Sequence, residues 1–219
     1  MIAIKRTRAP KELAETNRKF REATAGMDRK RAYDFYKEHE RKYQYNTPET
    51  KEAFRKMTRE RCSFCTGLIS SFSDAMTIEH IRTKRDYPRK IFQWSNLLCA
   101  CSTCNNKRGT KAYIPGKYLD PTKLPDVEKY FCYEPDGRIT VNEDLDEAEK
   151  ERAAYMIKLY RLDREELNGQ RREFLRDLMT DDHYYEILKN LEALYGTSQN
   201  IIFLSVFAYY RRCKEAYGE

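Results

Sequence analysis

Glycine and proline are scarce in this chain of 219 residues, at 8 and 7. So little glycine argues against a Gly-rich all-β fold, and with 35% charged residues it points to long helices with solvated faces. No apolar run approaches the roughly 18 residues a membrane span needs, and the longest, Ile201 to Tyr210, is about half that. The opening MIAIKRTRAP has charges with no apolar segment behind them, so no secretory leader is expected. Histidine is rare as well: His39, His80 and His183 are the full set of 3. What is present suffices for a sizeable core, since 40% of residues are hydrophobic and 17 are Tyr, which excludes wholesale disorder.

The net charge of +7 is unevenly spread. Residues 1–125 hold 28 Lys/Arg against 14 Asp/Glu, whereas residues 126–219 hold 14 against 21. A basic front half favours a polyanionic partner, because phosphate contacts release counterions. Charge alone is equally compatible with an ordinary solvated helical surface.

Seven cysteines occur: Cys62, Cys65, Cys99, Cys101, Cys104, Cys132 and Cys213. An odd count in a chain with no export signal argues against a disulfide framework. Cys62/Cys65 and Cys101/Cys104 have C-x-x-C spacing and are separated by 35 residues. Each such turn brings two thiolates together, and zinc takes four soft ligands in a tetrahedron, so these four predict one structural Zn²⁺. Cys99 could stand in for Cys101, with a poorer spacing to Cys104. The plainer alternative is a set of reduced thiols packed as small hydrophobes. Cys132 and Cys213 lie in apolar contexts and are expected in the core.

The chain reads as three stretches: 1–60 helical, 61–125 cysteine-bearing, and 126–219 a hairpin followed by a helical bundle, packed as one unit. Gly26 is expected to split the first stretch, and Thr47-Pro48-Glu49 starts a helix to about Glu60 with Ala53, Phe54 and Met57 facing inward. Pro10 suits a first helical turn. Leu68–Phe72 and Ala75–Ile81, separated by Ser73-Asp74, suggest a small hairpin. A basic loop over 82–90 follows, and then Trp94–Leu98 leads into a short helix ending near Arg108. Tyr130–Glu134 and Arg138–Val141 flank a Pro-Asp-Gly turn and read as a second hairpin. Helices return from Asp144, with Asp163 as an N-cap for 164–179, then 182–195 and 198–217. Ile157, Leu159, Leu162, Leu167, Phe174, Leu175 and Leu178 repeat at helical spacing. Ile201, Ile202, Phe203, Leu204, Val206, Phe207, Tyr209 and Tyr210 cover more than one face, which suits a central strut better than a docking surface.

The segment framed by the cysteine pairs carries Ile78-Glu79-His80-Ile81 and Asn96-Leu97-Leu98, with Cys104-Asn105-Asn106-Lys107-Arg108-Gly109 at its end. Phosphodiester hydrolysis needs a base for water, a cation to neutralise developing charge, and groups that position the backbone. Of the three histidines only His80 sits inside the zinc frame, and histidine is the side chain whose ordinary pKa suits a base near neutrality. Glu79 and Asn105 offer oxygens that suit Mg²⁺ or Mn²⁺.

In order, spacing and zinc frame, residues 60–110 resemble the HNH nuclease family in its zinc-knuckle form. The resemblance implies a mainly α protein with a small α+β insert: a ββα-metal, treble-clef-like nuclease core stapled by zinc and flanked by N- and C-terminal helices. It implies His80 as general base, with Glu79 and Asn105 holding the catalytic divalent cation. Asn96 would orient His80 through a hydrogen bond to the ring or the loop backbone. Arg82, Lys84, Arg85, Lys107 and Arg108 would contact phosphates. Asn106 competes with Asn105 for the ligand position. Neighbours on a regular strand point to opposite faces, so the strand must end or distort for Glu79 and His80 to share a site. Two positions depart from the commoner pattern: Asn replaces His at the third motif position, and the acid is Glu rather than Asp.

Outside the core, the opening Met-Ile-x-Ile-Lys-Arg and the stretch Ala153-x-x-Met156-Ile-Lys-Leu-Tyr-Arg-Leu-Asp-Arg through Arg172 look like the HNH proteins of Septu-type antiphage defence, including those associated with retrons. That similarity implies a bacterial cytoplasmic endonuclease acting on DNA or RNA. Its partner would be an ABC/SMC-like ATPase (PtuA type), with a retron reverse transcriptase and its msDNA in retron-associated members. A non-catalytic zinc module that binds nucleic acid or protein is the alternative.

Overall fold

The computed structural model describes residues 1–69, 75–195 and 203–217. Three helices come first: α1 (Lys11–Ala23), α2 (Arg29–Glu38) and α3 (Pro48–Thr58). Pro10 sits one residue outside α1, as its N-cap with ψ 142°. The break between α1 and α2 falls at Gly26, whose φ is 77°. Asp28 caps α2 by accepting from the Arg31 amide, and the Thr47 side chain accepts from the Thr50 amide at the start of α3. These caps take up amides that have no partner inside the helix. Phe54 is fully buried and Ala53 and Met57 partly so, as the helical spacing predicts.

Strand β1 (Met76–His80) pairs antiparallel with β2 (Leu97–Cys101), Ile78 opposite Cys99 and His80 opposite Leu97. The expected hairpin between 68–72 and 75–81 is therefore replaced: among the described residues β1's partner is β2, and Leu68 forms an isolated bridge with Arg61. Residues 70–74 of that predicted hairpin lie outside the described residues. Every residue of β2 is buried. Leu97 and Cys99 face a core built with Leu13, Phe20, Tyr36 and Phe54, while Leu98 and Ala100 face the other core. A strand covered on both sides has no polar face to mark its period, which is why the sequence reads ambiguously there. The short helix α4 (Ser102–Arg108) follows and completes the ββα unit.

Strands β3 (Phe131–Tyr133) and β4 (Ile139–Val141) form the second antiparallel sheet at the predicted place. Helix α5 (Glu147–Tyr160) is capped by Asp146, and α6 (Glu165–Thr180) begins one residue later than expected, on Arg164 rather than Asp163. Helices α7 (Asp182–Tyr195) and α8 (Leu204–Tyr217) close the order. Leu159, Leu162, Leu167, Phe174, Leu175 and Leu178 are buried and Ile157 is partly so. Phe203, Val206 and Phe207 join the same core, with Tyr209 and Tyr210 packed against it. Ile201 and Ile202 lie outside the described residues. Cys132 and Cys213 are half-buried.

Among the described residues the molecule is thus mainly helical with two small antiparallel sheets. The β1–β2 ribbon separates two cores, one made with the N-terminal helices and one with β3, β4 and the C-terminal helices. No helix among the described residues is long and apolar enough to cross a membrane.

Candidate active site

The ββα unit is anchored at its base by sulfur. Cys62 and Cys65 flank a tight turn, Cys101 ends β2, and Cys104 lies in the first turn of α4. Their four Sγ atoms lie within 4.8 Å of one another, all four residues are buried, and no disulfide joins them. A tetrahedron with Zn–S near 2.3 Å has sulfur–sulfur edges of about 3.8 Å. The Cys65–Cys101 separation of 4.0 Å fits that edge, so the donor set suits zinc. Cys99, the alternative ligand, points into the core with the N-terminal helices and belongs to no such group.

Strand β1 ends at His80, which meets the condition for neighbouring side chains to border one cleft. A cleft of about 490 Å³ is lined by Glu79, His80, Lys84, Arg85, Asp86 and Asn105, among others. His80 is buried and its Nε2 lies 3.0 Å from the Ile91 carbonyl. A carbonyl accepts only, so Nε2 carries the proton and Nδ1 is left as the acceptor. The Tyr45 ring meets the imidazole edge-on at 4.6 Å between centroids. Burial, with the charges of Lys84 and Arg108, lowers the His80 pKa to about 3, which keeps the ring neutral.

Glu79 projects to the other face of β1. Its Oε1 lies 2.9 Å from Arg108 Nε and accepts from the Tyr160 hydroxyl at 3.5 Å. Tyr160 is stacked on Phe64 at 3.7 Å and shares a 2.9 Å hydrogen bond with Tyr118. Burial pushes the Glu79 pKa up to about 7 against the pull of Arg108. Both contacts fall on Oε1, and Asn105 borders the same cleft. A carboxylate and an amide oxygen make a sparse, hard donor set of the kind Mg²⁺ and Mn²⁺ accept alongside water and substrate oxygens. Asn106 is exposed and does not line the cleft, which favours Asn105 of the two.

Asn96 acts on the loop backbone. Its Oδ1 accepts from the Arg82 amide at 2.8 Å, and its Nδ2 donates to the Arg82 and Lys90 carbonyls at 3.1 and 3.0 Å. These bonds close the loop that carries Ile91, the partner of His80.

The five basic residues expected at phosphates are placed unequally. Lys84 and Arg85 line the cleft. Lys84 lies over the rings of Tyr36 and Tyr45 and donates to the Tyr45 hydroxyl at 3.3 Å. Arg82 lies outside the cleft lining, 4.6 Å from the Tyr113 ring centroid, and Lys107 is exposed on α4. Arg108 departs from expectation. It borders the cleft but is 2% exposed, and it donates to the Ile81 and Gly109 carbonyls besides pairing with Glu79, so most of its guanidinium is taken up internally. Tyr45, Tyr118 and Tyr160 were not legible as site residues. They come from a loop and from segments distant in sequence, with no motif to mark them.

Residues 61–111 match the HNH endonuclease family. Over 78 residues the chain is 32% identical to the Septu protein PtuB of Bacillus thuringiensis. The aligned segment is 36% of this chain and 30% of that protein, so the match spans less than a third of the curated relative. The ββα unit with its four cysteines and most of the cleft lining fall within the matched residues, and residues 61–111 are an HNH endonuclease domain in a chain related to PtuB.

Proposed function

We propose that the protein is a divalent-metal-dependent endonuclease that hydrolyses phosphodiester bonds of nucleic acid, and that it serves a Septu-type antiphage system under the control of a partner ATPase. The observation that carries the reading is His80, held as the Nε2–H tautomer by the Ile91 carbonyl, beside Glu79 and Asn105 at one cleft.

In this reading His80 accepts the proton of the attacking water on Nδ1. Its neutral state makes it ready to do so, and a bound phosphate raises its proton affinity at the moment of need. Glu79 and Asn105 would hold the divalent cation, which would offset charge developing on the phosphate and the departing 3′ oxygen. Lys84 and Arg85 position neighbouring phosphates from the cleft wall, and Asn96 keeps the loop that orients His80 closed. Products would carry a 5′-phosphate.

The test is nicking of plasmid DNA and of RNA with Mn²⁺, by wild type and His80→Ala, alone and with the partner ATPase. Removing a general base should cost on the order of 10²-fold or more in rate. Equal behaviour of the two proteins on every substrate, with the ATPase present, would overturn the enzymatic reading in favour of a zinc-dependent binding module.

A further inference from the structure

Four thiolates around a divalent ion leave a net charge of about −2, which is costly to bury unless cations or N–H donors meet it. A buried arginine stands at the cysteine cluster, and it comes from the C-terminal helices rather than from residues 61–111. Arg164, at the start of α6, places Nη1 3.6 Å from Cys104 Sγ, within reach of an N–H···S hydrogen bond. The same nitrogen donates to the Arg161 carbonyl at 3.2 Å, which ties the guanidinium to the end of α5. Arg171, one to two turns further along α6, is almost completely buried and donates to the Leu162 carbonyl at 2.8 Å. Leu162 and Leu167, both buried, clamp the turn between α5 and α6 that delivers Arg164.

We infer that Arg164 is a positioning residue of the zinc centre: it donates to the Cys104 thiolate and offsets part of the negative charge of the tetrathiolate. This rests on the reading of the four cysteines as a zinc site. A hydrogen bond to a ligating sulfur withdraws electron density from it, lowers its affinity for protons, and so slows the protonation by which zinc leaves. The C-terminal helices thereby enter the metal site without supplying a ligand.

The experiment uses the full chain. Zinc content of the wild type tests the zinc reading by itself, and about one ion per chain is expected. Chelator-driven zinc release is then compared among wild type, Arg164→Met and Arg164→Lys. Methionine keeps an unbranched apolar stem and removes charge and donor, so release should be about 10-fold faster or more. Lysine restores a charge and a donor and should return the rate most of the way. In Co²⁺-substituted protein the sulfur-to-metal charge-transfer band should shift in Arg164→Met. A methionine variant with wild-type release and an unshifted band would overturn the proposal. So would a lysine variant no better than methionine, because the arginine would then matter only for its bond to the Arg161 carbonyl. If Arg164→Met fails to fold, Arg164→Gln takes its place, because it removes the charge and keeps a polar stem: faster release and a shifted Co²⁺ band support the proposal, and a band and release rate identical to wild type overturn it. Absence of zinc from the wild type would remove the proposal together with its premise.

Discussion

Arg108 borders the candidate cleft, yet its side chain is buried and paired with Glu79. It sits next to Lys107, and side-chain type alone suggests a phosphate contact. Burial adds a structural partner: the i, i+4 geometry of a short helix carries position 108 back against β1, where it meets Glu79. Removing one partner of a buried ion pair leaves the other charge uncompensated, so Arg108→Met is expected to cost about 3–5 kcal/mol. Pairing it with Glu79→Gln removes the orphaned charge and should recover most of that loss. Urea melts of the two variants give the measurement, and equal destabilisation by both would contradict the account. The four clustered cysteines were legible because metal chemistry demands particular residue types at particular spacings. The hydroxyls of Tyr118, in an irregular segment, and Tyr160, in α5, were not, since a tyrosine looks the same in sequence whether its OH meets water or a carboxylate.

Elements announced by turn chemistry were read well. Thr47 caps the helix that follows it, and the Pro135-Asp136-Gly137 turn joins β3 to β4. Strand β2 escaped because both its faces are covered, so alternation left no trace in polarity. The hairpin turn offers a sharp test. Gly137 has φ 84°, and a Cβ there would overlap the Asn168 carbonyl and crowd the Arg172 amide of α6. Gly137→Ala combines an unfavourable backbone conformation with that collision and should cost more than about 1 kcal/mol. Thermal melting should fall by at least about 3 °C. An unchanged melting temperature would mean that the hairpin does not press on α6.

Taken whole, the molecule wraps two cores around one ribbon, and the four cysteines sit at the edge of the larger core. A metal that gathers both cysteine pairs contributes to folding directly. Cys62→Ser and Cys104→Ser are therefore expected to lose zinc and much of their stability, and a strong chelator should lower the wild-type melting temperature in the same direction. Circular dichroism with and without chelator checks this, and a chelator-insensitive melt would show that apolar packing alone holds the cysteine turns. The charge asymmetry fits this layout: the basic half of the sequence contributes the cleft, and the acidic half contributes most of the supporting helices.

Tyr160 has one last implication. Its ring lies on Phe64 between the cysteines of the first pair, and its hydroxyl reaches Glu79 from a helix beyond the matched segment. Cutting out 61–111 as a portable cassette would strip the carboxylate of that neighbour, lay bare the flank of Phe64 and discard Arg164. A graft of this unit onto a foreign scaffold would have to bring α5 and the first turn of α6 with it.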